Sequence, residues 1–101
     1  MNNNSNDAGG YSRVHVQLFD RYGPELGPIP IAVYIYLVRC ADKDGYCCPD
    51  YKKMAYHCGG ISRKSAEQAI AKLIKLGLIE KGHGSPDADK YKIRLEAFSD
   101  E

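Results

Sequence analysis

The sequence predicts an α+β fold in which three helices precede a C-terminal two-stranded hairpin. Apolar residues recur three and four apart across residues 62–76, as they do along one face of an amphipathic helix. A short apolar strand follows, then a loop rich in glycine, proline and aspartate, and then an alternating segment from Tyr91 to Leu95. At 101 residues, the chain has room for a single domain.

The helix over residues 62–76 has signals at both ends. Ser62 is a predicted N-cap, because its hydroxyl can accept from the free N–H groups of the first turn. Gly77 suits the left-handed residue with which many helices end. The predicted core-facing residues are Ala66, Ala69, Ile70, Leu73, Ile74 and Leu76. The opposite, mostly basic face holds Arg63, Lys64, Glu67, Gln68, Lys72 and Lys75.

A shorter helix over residues 50–57 precedes it, with Asp50 as the N-cap, and residues 58–61 form the intervening turn. Two helices in this order, the second packed by one face and basic on the other, are typical of a helix-turn-helix DNA-binding unit. After them, Tyr91, Ile93 and Leu95 alternate with Lys92 and Arg94, so one face of this strand packs and the other is basic.

The N-terminal half is less distinctive. Residues 14–19 alternate in polarity and predict a strand or extended arm, with a helix over residues 14–22 as the alternative. Glycine–proline pairs at residues 23–24 and 27–28 predict a loop. Residues 30–41 form the most apolar helix candidate, although a buried strand competes. Residues 46–48 predict a brief strand. We expect residues 1–12 to be a disordered tail, residues 13–97 the domain, and residues 98–101 a frayed end.

Charge is unevenly distributed along the chain. Residues 49–94 contain ten basic and five acidic side chains, a net charge of +5, whereas the remaining residues carry −4, giving +1 overall. Such asymmetry favours an anionic partner for one surface. A lysine-rich face that is merely solvated is the alternative.

A spaced pattern connects these elements, formed by Gly45, Pro49, Met54-Ala55, Gly60-Ile61-Ser62, Ser65, Ala69-Ile70, Leu73 and Leu76-Gly77-Leu78-Ile79. It resembles the winged helix-turn-helix domains of phage and plasmid replication-initiation (replisome organiser) proteins, which are related to GntR-type and MarR-type regulators. The resemblance covers about residues 29–95, and its most specific part is the Gly-Leu-Ile ending. One departure is the turn at residues 58–61, which is one residue longer than the common version and could tilt the second helix.

The resemblance implies sequence-specific binding of double-stranded DNA, in replication initiation or transcription regulation. It places Arg63, Lys64 and Gln68 at the major groove, where such side chains can bond guanine and adenine edges. The expected backbone and flanking-groove contacts are Ser62, Ser65, Lys72, Lys52, Lys53, His83, Lys90 and Lys92. The alternative is a winged helix that serves protein–protein assembly, without direct reading of DNA.

Other chemistry finds little support in the sequence. Cys40, Cys47, Cys48 and Cys58 contain no C-x-x-C pair, so we expect buried or half-buried free thiols instead of a metal site, with redox sensing through Cys58 as an alternative. The three histidines are dispersed, and we expect no catalytic activity and no cofactor. We also expect a cytoplasmic monomer or weak homodimer with no membrane partner, and a replisome or regulatory protein as a further partner.

Overall fold

The structure, a computed structural model, describes residues 17–83 and 89–94. Within these ranges the elements are a π-helical segment (Leu18–Tyr22), α1 (Gly23–Leu26), α2 (Pro28–Cys40), β1 (Tyr46–Cys47), α3 (Tyr51–His57), α4 (Arg63–Lys75), β2 (Ile79–Lys81) and β3 (Tyr91–Ile93). This order confirms the predicted α+β, winged helix-turn-helix fold class. The predicted tail (1–12), the start of the predicted arm (14–16), the middle of the wing loop (84–88), Leu95 and the predicted frayed end (98–101) lie outside the described residues.

The segment before α2 is helical, which confirms the alternative helix over residues 14–22 where the structure describes it; the predicted arm, and the loop predicted at residues 23–26, are wrong. Leu18 and Leu26 are both buried in the core, one in the π-helical segment and the other in α1. Pro24 lies in the first turn of α1, where its missing N–H leaves no helical hydrogen bond unmade. The glycine–proline pair therefore begins a helical turn here, and a fourth helix joins the predicted three.

Helix α2 confirms the helical prediction for residues 30–41 and excludes the buried strand. It begins two residues earlier than predicted, at Pro28. Val33, Tyr34 and Leu37 are buried; Leu37 follows the other two by four and three residues, as expected for one helical face. Burial raises the pKa of Tyr34 to about 12, so its phenol stays protonated.

The predicted two-stranded hairpin is the larger part of a three-stranded antiparallel sheet with the order β1-β3-β2. β1 confirms the brief strand predicted near residues 46–48, but its pairing with β3 was not foreseen. Tyr46 lies opposite Lys92, and Cys47 lies opposite Tyr91. Cys47 is buried and its Sγ lies 3.6 Å from the carbonyl oxygen of Tyr91. The sheet thus ties the segment before α3 to the wing.

Helix α4 packs its apolar face against α2, α3 and β2. Ala66, Ala69, Ile70 and Leu73 are buried as predicted. Ile74 was also predicted to face the core, but it lies at the edge of this buried stripe and is 38% exposed. Since successive residues of an α-helix are rotated by roughly 100°, the position after Leu73 falls at the margin of the buried face.

The end of α4 is the predicted left-handed exit. Gly77 has a φ of +78°, which a residue with a Cβ adopts only with strain. Its N–H donates to the carbonyl of Ile74 at 3.0 Å, and the N–H of Leu78 donates to that of Leu73 at 3.0 Å. This pair of hydrogen bonds is the Schellman motif, and it directs the chain into β2.

The burial difference within α4 yields a test of the fold. Leu73→Ala is expected to lower the free energy of unfolding by about 2–5 kcal/mol, because it leaves a cavity in the core. Ile74→Ala, the matched control one position along the helix, is expected to cost less than half as much. Urea denaturation followed by circular dichroism measures both, and equal losses would contradict the packing described for α4.

Candidate nucleic-acid interface

The two helices of the helix-turn-helix unit both begin with a capped turn followed by basic residues. The Asp50 carboxylate accepts from the N–H groups of Lys52 (2.9 Å) and Lys53 (3.2 Å) and caps α3 as predicted. The Ser62 hydroxyl accepts from the N–H of Ser65 at 3.0 Å and lies 3.1 Å from the Ser65 hydroxyl. Ser62 and Ser65, both predicted DNA contacts, therefore bond to each other and fix the first turn of α4.

The basic residues that follow these caps sit where an isolated helix disfavours them. Lys52 and Lys53 occupy the first turn of α3, and Arg63 and Lys64 occupy that of α4; neither first turn contains an acid. Helix N-termini carry a partial positive charge, so cations there oppose the helix dipole. An external anion bound beside these side chains would relieve the conflict. Both helices thus present positive charge on the exposed side of the unit.

The turn between α3 and α4 depends on two consecutive glycines. Gly59 and Gly60 have φ values of +99° and +75°. The N–H groups of Gly60 and Ile61 both donate to the carbonyl of Ala55, at 2.9 and 3.1 Å. Both glycines are in the left-handed region, which only glycine adopts readily.

Arg63 and Lys52 both line a surface cleft of about 410 Å³, together with Tyr51 and Tyr56. The guanidinium carbon of Arg63 lies 4.7 Å from the ring centroid of Tyr51, a cation–π arrangement. Its Nε donates to a carboxylate oxygen of Glu67 at 2.9 Å. The N-terminal ends of the two helices are thus brought together by side chains as well as by the turn.

Tyr51 also connects this unit to the wing. Its hydroxyl lies 2.7 Å from that of Tyr91 in β3, and both hydroxyls lie within 3.5 Å of Asp89. Asp89 in turn forms a salt bridge of 3.5 Å with Lys81 in β2. Burial raises the pKa of Tyr51 and of Tyr91, so both phenols stay protonated and remain able to donate. The base of the wing is thus fixed against α3.

The predicted wing residues form a second basic patch. The ammonium groups of Lys90 and Lys92 lie 4.7 and 5.6 Å from the ring centroid of Tyr46, on β1. His83 is exposed just after β2. Tyr46 therefore holds the two lysines close together on the wing.

The remaining predicted contacts lie on exposed surface. Lys53, Lys64, Gln68 and Lys72 are all exposed. Within residues 17–83 and 89–94, the lysines among them and Lys52 form no salt bridge. These lysines therefore have no ion-pair partner among the described residues and are available to an anionic ligand.

Sequence reasoning missed the side chains that organise the basic ones, namely Tyr46, Tyr51, Glu67, Asp89 and Tyr91. The i,i+4 spacing of Arg63 and Glu67 was a usable signal for one pair, because residues four apart on a helix are neighbours. The contact between Tyr51 and Tyr91 joins residues 40 positions apart and has no local signal.

The cysteines depart in part from the prediction. Cys47 is buried and Cys58 half-buried as expected, but Cys40 and Cys48 are exposed. All four are free thiols. Burial raises the pKa of Cys47 to about 12 and raises that of Cys58, which lowers their thiolate fraction and weakens the redox alternative at Cys58. Among the described residues, no group of three or more histidine, cysteine or acidic side chains could hold a metal ion.

These environments predict an order of thiol reactivity. With iodoacetamide at about pH 8, below the raised pKa values, Cys40 and Cys48 are expected to be alkylated first, Cys58 more slowly and Cys47 last. Peptide mass spectrometry over a time course measures this order. The same reaction in urea, where all four thiols are accessible, is the control; native-state labelling of Cys47 as fast as Cys48 would contradict its buried position.

The chain matches a known protein family. Residues 25–79, more than half of the chain, match a family described as a helix-turn-helix domain. No curated protein and no solved structure matches the chain. Over the part of the chain that the structure describes, none of the helices combines the length and apolar character that crossing a membrane requires.

Proposed function

We propose, since the chain belongs to this family of helix-turn-helix domains, that it binds double-stranded DNA sequence-specifically through α4 and the basic wing. The observation that carries this proposal is the placement of paired cations in the first turns of both α3 and α4, with no acid in either turn. DNA phosphates are the anions that such a surface binds in helix-turn-helix proteins.

The basic residues of this surface have two roles, contact with base edges and contact with phosphates. Lys64 and Gln68 on the exposed side of α4 face the base edges of the major groove, together with Arg63. Lys52, Lys53 and Lys72, which form no salt bridge within the described residues, bind phosphates. Lys90 and Lys92 bind the adjacent backbone from the wing.

The resemblance to replication-initiation proteins and to bacterial regulators supports two biological settings, namely initiation of replication and regulation of transcription. Both need one property, which is selective binding of a duplex site over random sequence. A cytoplasmic location and a monomer or weak dimer fit either setting.

The first test is fluorescence anisotropy with random duplex DNA across a salt series. Affinity is expected to fall steeply as salt rises, because phosphate contacts release counterions. The double variant Arg63→Ala/Lys64→Ala is expected to lose at least about tenfold in affinity at low salt. The control is Arg39→Ala/Lys43→Ala, which removes the same charge from α2 and the turn after it and leaves the proposed surface intact.

Equal losses in the two double variants would assign the binding to net charge and overturn the site assignment. Absence of duplex binding even at low salt would overturn DNA binding itself.

A second candidate is a protein–protein assembly module. An apolar groove of about 420 Å³ between α2 and α3 is lined by Ile35, Tyr36 and His57. Elsewhere on the surface, two large side chains are exposed, Phe19 by 53% and Tyr56 by 75%. Binding through such a surface would change little with salt, because apolar contacts release few counterions. The salt series therefore distinguishes the two functions.

A further inference from the structure

Two contacts fix the side chain of Arg63, the first residue of α4. Its Nε–H donates to Glu67 at 2.9 Å, and its guanidinium carbon lies 4.7 Å from the centroid of the Tyr51 ring. Tyr51 is itself fixed, because its hydroxyl lies 2.7 Å from that of Tyr91 in β3. These two contacts favour one direction for the guanidinium in the free protein.

Fold stability does not account for this arrangement. The side chains of Arg63 and Glu67 are 69% and 52% exposed, and an exposed pair of this kind adds little to stability. The cation precedes the anion along the helix, which is the less favourable order for an i,i+4 pair. Arg63 also lies at the positive end of the helix dipole. A ligand explains the geometry better.

The donors that remain free indicate which ligand. A guanidinium has five N–H groups, and with Nε–H bonded to Glu67 the four on its terminal nitrogens form an exposed fork. Such a fork matches the O6 and N7 acceptors that guanine presents in the major groove. The Glu67 carboxylate offsets the charge of Arg63, which weakens its attraction to phosphates but leaves these directional hydrogen bonds.

We propose that Arg63 reads a guanine in the major groove, and that Glu67 and Tyr51 are the positioning residues that give it this specificity. This inference rests on the proposed function, because it assigns one part of the DNA surface its ligand. Glu67 thereby lowers the affinity for random DNA and raises the selectivity for the guanine.

The test uses a duplex that the wild-type protein selects from a random pool. Each guanine in turn is replaced by 7-deazaguanine, which keeps O6 and lacks the N7 acceptor, and affinity is measured by fluorescence anisotropy. One replacement is expected to weaken wild-type binding by at least about fivefold. The same replacement is expected to leave the affinity of Arg63→Ala unchanged, because that variant has no fork to lose.

The positioning residues are tested with matched variants. Glu67→Ala is expected to bind random duplex more tightly and to show a smaller 7-deazaguanine effect. Glu80→Ala removes an equally exposed acid that pairs with Arg94 at 3.5 Å on the sheet, and is expected to keep the full effect. Tyr51→Phe keeps the ring under Arg63 and is expected to keep most of the effect, whereas Tyr51→Leu loses it.

Two outcomes overturn the inference alone. One is steeply salt-dependent duplex binding with no sensitivity to any guanine N7. The other is a 7-deazaguanine effect that persists unchanged in Arg63→Ala or in Glu67→Ala. A protein that binds no duplex at any salt concentration overturns the proposed function as well. Glu67 is exposed, so Glu67→Ala is expected to fold. This variant therefore tests the inference even if Tyr51→Leu fails to fold.

Discussion

The burial of one face of α4 is the constraint on which the rest of this structure depends. Leu73 is fully buried and Ile70 nearly so, and α2, α3 and β2 all pack against the same helix. Protein interiors are densely packed, so α4 cannot rotate without opening a cavity and exposing apolar surface. The orientation of its polar face follows from this packing. Gln68 and Lys72 are held in solvent because the opposite residues are held in the core.

Tyr51 performs a second, more local task by joining three elements at one ring. Its face lies under Arg63 of α4, and its hydroxyl contacts Tyr91 of β3, while its own backbone begins α3. Both tyrosines are protonated at neutral pH, and burial raises their pKa values further above it. The relation between the first turn of α4 and the wing is thus set by neutral hydrogen bonds and a cation–π contact, which salt screens less than it screens contacts between exposed charges.

The positive surface is not uniform, and its two kinds of basic residue suit different tasks. Arg63, Lys81 and Arg94 each lie beside a carboxylate, at 2.9, 3.5 and 3.5 Å respectively. Exposed pairs like these contribute little to stability, and where they form they favour one direction for the basic side chain. Lysines that have no carboxylate partner among the described residues keep their full charge and their flexibility, which suits phosphates, whose contacts need charge more than direction.

The sequence alone determined the two helices of the helix-turn-helix unit, their caps at Asp50 and Ser62 and the exit at Gly77, because capping and periodicity are local and act through the nearest few residues. It also determined which basic residues are exposed on α4. Only the tertiary structure decided that β1 joins the sheet and that Tyr51 lies between Arg63 and Tyr91. Those outcomes depend on contacts between residues far apart in the chain. Local propensity carries no information about which distant residues a side chain will contact.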